Sequence, residues 1–113
     1  MKEPLTADAA IDAVLDRATE YATARFDEIN LEDQRPIKKL AAIVRIMQSG
    51  ENALTGKPHS ASSAESQVET DDAYAAHRRL QLDATVTTIL CRARYEAAKF
   101  RAQLLCNLQE VQS

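Results

Sequence analysis

Residues 50–65, GENALTGKPHSASSAE, gather the side-chain types that could do chemistry: both glycines of the chain, one of its three prolines and one of its two histidines. A phosphate-gripping loop needs Gly-x-x-x-x-Gly-Lys followed by Ser or Thr, so that backbone amides cradle the phosphates and the hydroxyl holds magnesium. Here five residues separate Gly50 from Gly56, Pro58 stands where the hydroxyl should be, and the preceding residues 37–47 have helical rather than β periodicity. The spacing excludes a nucleotide site. Ser60, Ser62 and Ser63 lie beside His59, a hydrolytic combination, but helix capping accounts for the serines, and a small alanine-rich bundle can hardly build the pocket a nucleophile needs. A metal would draw on His59, His77, Asp71, Asp72, Cys91 and Cys106, yet no Cys-x-x-Cys, His-x-x-x-His or Glu-x-x-His pair is present. The sequence therefore predicts no catalytic residue, no metal site, no cofactor and no enzyme.

The chemistry that is left is cationic. Lys57, Pro58 and His59 form a basic, conformationally restrained trio in a predicted loop, residues 50–61. In RARYEAAKFRAQ, Arg92 and Lys99 are seven residues apart, as are Arg94 and Arg101, so two basic rows run along a helix with Tyr95 and Phe100 nearby. Such rows could track a phosphate backbone while an aromatic ring stacks on a base. The competing reading puts Phe100 in the core and pairs the arginines with an acidic first helix. It draws on the net charge of −3 and on charge segmentation: nine acids against three bases over residues 1–34, and six bases against three acids over residues 77–113.

The elements that must position these residues are helices. A first helix, about residues 6–31, opens at a Thr6 N-cap after Pro4 and carries Ile11, Leu15, Ala18, Ala22, Phe26 and Ile29 in four- and three-residue steps. Pro36 disfavours a helical Arg35 and suits the first turn of a new helix, residues 36–49, with Ile37, Leu40, Ala41, Val44 and Met47 on one face, widened by Ile43 and Ile46. Gly50 supplies its stop. Ser62-x-x-Glu65 spells a capping box that opens a short helical turn, residues 62–69. A long helix, residues 71–110, opens at a start signal at Thr70 or Asp71 and has neither Gly nor Pro; its stripe runs Leu82, Val86, Ile89 or Leu90, Ala93, Ala97, Phe100, Leu104, Leu108 and Val111. A parallel stripe of Leu80, Ala84, Cys91, Ala98 and Leu105 makes this face broad enough for two neighbours. His77 reads as a surface or edge residue, and the two cysteines, about 22 Å apart on one helix, as reduced packing residues.

Residues 52–60, NALTGKPHS, followed by Ser63-Ala64-Glu65 and later by YEAAKFRAQL, resemble a pattern in small all-helical proteins encoded by tailed bacteriophages and prophages, some of them among replication and recombination genes. The resemblance covers about residues 50–105. It implies a non-enzymatic accessory that binds DNA or a partner protein of DNA metabolism, and it carries over no catalytic residue.

The expectation is one all-α domain, residues 1–113, built as an antiparallel helical hairpin or three-helix bundle with a long, coiled-coil-like C-terminal helix. It homo-oligomerises through that helix and serves as an interaction module for a protein partner. The alternative is direct single-stranded nucleic-acid binding through the basic face, with Lys57 and His59 as further contacts. With neither a secretory h-region nor a membrane span in the sequence, the expected setting is cytoplasmic.

Overall fold

The computed structural model describes residues 6–50 and 56–112, with side chains as far as residue 109. Pro4, residues 51–55 of the loop and the side chain of Val111 lie outside these. The described chain is all-α: α1 (Ala7–Gln48), α2 (Ala61–Glu65), a 3₁₀ turn (Val68–Thr70) and α3 (Asp72–Gln112). Among the described residues no helix is long and apolar enough to cross a membrane.

Thr6 caps α1 as expected: the Ala9 N–H donates to its hydroxyl at 3.1 Å and the Ala10 N–H to its carbonyl at 2.9 Å. The predicted break between residues 31 and 36 does not occur, because α1 continues through Pro36 to Gln48. A proline inside a helix costs about 3 kcal/mol relative to alanine and removes one backbone donor. Tertiary contacts on both sides of it oppose that cost. His77 Nε2–H donates to the Leu31 carbonyl at 3.0 Å, and further along Ala42 and Ile46 enter a core. The stop at Gly50 holds, with φ of 104°.

The capping box sits two residues earlier than the sequence suggests. Ser60 and Ser63 exchange bonds, Ser63 N–H to Ser60 Oγ at 3.1 Å and Ser60 N–H to Ser63 Oγ at 3.0 Å. Glu65 is thereby freed, and Lys39 Nζ meets its carboxylate at 3.0 Å.

The chain packs as two compact units, residues 29–83 and residues 1–28 with 84–113. The core of the first is Ala42, Ile46, Ala64, Val68 and Tyr74, with Ile43 against it. Tyr74 is only 1% exposed, and His77, expected at an edge, is 4% exposed through its bond to Leu31. In the second unit Ala7, Ala10, Ala24, Cys91, Ala102 and Thr88 are buried. The Thr88 hydroxyl lies 3.0 Å from the Ala84 carbonyl of its own helix and 3.2 Å from the Ala24 carbonyl of α1. Tyr21 and Tyr95 meet with ring centroids 6.0 Å apart.

The helices turn a different face inward from the one their largest side chains suggest. On α3 the covered row is Tyr74, His77, Gln81, Ala84, Thr88, Cys91, Tyr95, Ala98, Ala102 and Leu105, in strictly alternating three- and four-residue steps. It includes four members of the parallel stripe, Ala84, Cys91, Ala98 and Leu105, whereas the fifth, Leu80, is exposed. On α1 the covered row begins Ala7, Ala10, Val14, Arg17, Tyr21, Ala24 and Glu28 with the same steps. Ile11, Leu15, Phe26, Ile29, Ile37, Leu40, Val44 and Met47 on α1, and Leu82, Val86, Ile89, Leu90, Phe100, Leu104 and Leu108 on α3, are all at least 40% exposed. The reason is geometric: small side chains allow close helix approach, and a helix apolar on two faces needs two neighbours to cover both.

Candidate interaction surface

The outward row of α3 is as regular as the covered one. Val86, Leu90, Ala93, Ala97, Phe100 and Leu104 alternate four- and three-residue steps, each two residues beyond a member of the covered row. At 3.6 residues per turn, two residues are about 200° of rotation, so the second row lies opposite the first. Its large members are 48–63% exposed. A contiguous apolar strip of this length is unusual on a monomer surface.

Cations flank it unevenly. Arg94 and Arg101, with Arg17 from α1, rim a cleft of about 310 Å³ floored by Ala10, Ala13, Ala97 and Ala98. Arg17 is also bound to Glu20 at 2.9 and 3.2 Å. Lys99 sits apart from this cleft, 4.6 Å above the Tyr95 ring and 3.2 Å from Glu96 Oε2. Arg92, one heptad before Lys99, is exposed. The structure thus joins Arg94 to Arg101 and gives them a third arginine that the sequence did not suggest, while Lys99 is engaged by its own helix.

The pairing expected between an acidic first helix and a basic third one is absent among the described residues of this unit. Among the described residues of this unit the ion pairs run within single helices: Arg17–Glu20, Arg25–Glu28 and Lys99–Glu96. Phe100, placed in the core by that same reading, is 63% exposed.

Lys57, Pro58 and His59 belong to the other unit. Lys57 and Pro58 are exposed and His59 is half-buried, its Nδ1 3.3 Å from Ser63 Oγ. The Ser63 hydroxyl donates to the Ser60 carbonyl at 3.1 Å while accepting the Ser60 N–H, so it serves the α2 cap. Among the described residues no three His, Cys, Asp or Glu side chains gather where they could hold a metal ion.

The best-formed polar site went unseen in the sequence. Asp71 caps α3, accepting the Tyr74 N–H at 2.9 Å, and receives a two-pronged contact from Arg45 at 2.9 and 2.7 Å. The Arg45 guanidinium, assisted by the Tyr74 amide, holds the Asp71 carboxyl at a pKa of about 2. The helix-start signal at residues 70–71 was legible, but its partner lies 26 residues earlier at the end of α1. Tyr74 could have been found from the seven-residue series Tyr74, Gln81, Thr88, Tyr95, Ala102. No family model, curated protein or solved structure matches the chain.

Proposed function

We propose that the protein is a non-enzymatic helical interaction module that associates through the outward apolar rows of its long helices. In this reading α1 and α3 form an antiparallel, coiled-coil-like hairpin, and the outward row of α3 is the principal docking face. The observation that carries it is that row: six heptad-spaced residues, four of them large and about half exposed. Of the residues that suggested hydrolysis, Ser60 and Ser63 serve the α2 cap. The resemblance of residues 50–105 to phage and prophage proteins supplies a setting, an accessory of DNA metabolism acting on a protein partner. Sedimentation through the micromolar range tests the reading. A species larger than the monomer is expected, and a monomer throughout overturns it.

A second reading has a specific observation in its favour. Arg94 and Arg101 make no ion pair among the described residues and share a cleft with Arg17, an arrangement that suits phosphate. Single-stranded oligonucleotide binding that weakens steeply with salt, and disappears in Arg94→Glu/Arg101→Glu, would support it. Binding unchanged by that double substitution would remove it.

A further inference from the structure

We infer that the occupant of the outward row of α3 is α3 of a second copy of this chain, lying parallel and in register. The inference rests on the interaction-module reading and names its partner. Three observations support it.

The first is symmetry of pattern. The row repeats every seven residues from Val86 to Leu104, so a helix carrying the same row meets it layer by layer. Self-pairing about a two-fold axis closes the assembly, and the two α1 helices stay on the far faces. The alternative partner, α1 of a second copy, would set unlike rows against each other rather than matching layer to layer.

The second is charge. Glu96 immediately precedes Ala97 on one edge of the row, whereas Arg94 and Arg101 immediately follow Ala93 and Phe100 on the other edge. Parallel pairing sets unlike edges together, bringing Glu96 of each copy against Arg101 of the other, twice by symmetry. Antiparallel pairing sets like edges together and opposes arginine to arginine. Glu96 engages Lys99 through Oε2, leaving Oε1 for a second cation, and Arg101 makes no ion pair among the described residues.

The third is size. Val86, Ile89, Leu90, Phe100, Leu104 and Leu108 are each about half exposed. Four of these belong to the row and Ile89 and Leu108 flank it, a run of large apolar side chains on the scale of a standard interface, to which each partner contributes roughly 800 Å². Ala93 and Ala97 in the middle of the row let the two backbones approach beside Phe100.

Cross-linking of the full chain tests this. Leu104→Cys, made with Cys106→Ser, places equivalent thiols opposite one another in a parallel pair, and mild oxidation should give a disulfide-linked dimer. Leu104 is exposed, so helicity by circular dichroism should be unchanged. Glu96→Arg should weaken the dimer by about tenfold, since two attractions become two repulsions, and adding Arg101→Glu should restore it. A monomer at all concentrations overturns both this pairing and the module reading. An oligomer without the Leu104→Cys cross-link, or one linked only when a second cysteine replaces Leu15 of α1, overturns the parallel pair and leaves the module reading intact. Oligonucleotide binding that Arg101→Glu abolishes, with sedimentation unchanged, assigns Arg101 to phosphate and also overturns it.

Discussion

Asp71 concentrates two tasks in one carboxylate, capping α3 and anchoring Arg45 from the last turn of α1. Its pKa is about 2 in the folded chain against an ordinary 3.8, so its contribution is complete above about 3.8 and fades as pH falls toward 2. Thermal melts across that acid range should show stability declining with pH, and the decline should be shallower in Asp71→Asn, which keeps a cap acceptor but no charge. Tyr74 makes the other residue-scale test. Among the described residues it is the one large side chain under 2% exposed, so Tyr74→Ala should destabilise by about 3 kcal/mol in denaturant titrations. Tyr74→Phe should cost under about 1 kcal/mol, because the hydroxyl only accepts a long bond, 3.4 Å, from Arg35 Nε. The partner of Asp71 could not be read locally. A start signal at residues 70–71 was visible, but an arginine reaching back to it from α1 is a property of the folded chain.

At the scale of elements, periodicity proved legible and choice of face did not. Helix identity, the Thr6 cap, the Gly50 stop and the length of α3 all follow from local chemistry, and the structure agrees with each. Pro36 is the exception. Local rules place a boundary there, yet contacts at Leu31, Arg35, Ala42 and Ile46 hold the helix through it. Pro36→Ala should therefore stabilise the protein, by roughly 2 kcal/mol after allowing for the looser unfolded chain, with a higher melting temperature as the readout. Both apolar rows of α3 were visible as stripes, and the larger residues weighted the reading toward the outward one. Which row a single chain covers depends on how closely two backbones can approach, and alanine, threonine and cysteine favour the other. The candidate cations divide for a similar reason: seven-residue spacing identified the rows, but only packing joined Arg17 to Arg94 and Arg101.

For the whole molecule, the interior is built mostly from methyl groups. Six of the ten buried apolar residues among those described are alanine, while sixteen large hydrophobics are at least 40% exposed. If the outward rows are covered by association, folding and assembly are linked, and the melting temperature should rise with protein concentration. Leu90→Lys/Leu104→Lys should remove that dependence while leaving the helical spectrum of the dilute protein unchanged. The alanine interior also predicts an inverted map of mutational tolerance. In most cores the danger lies in cutting large side chains down; here Ala24, Ala42 and Ala102 have almost nothing to lose and no room to grow. Enlarging any of them to leucine should be more damaging to folding than truncating Phe100 or Leu104, the reverse of the ranking that hydrophobicity alone would give.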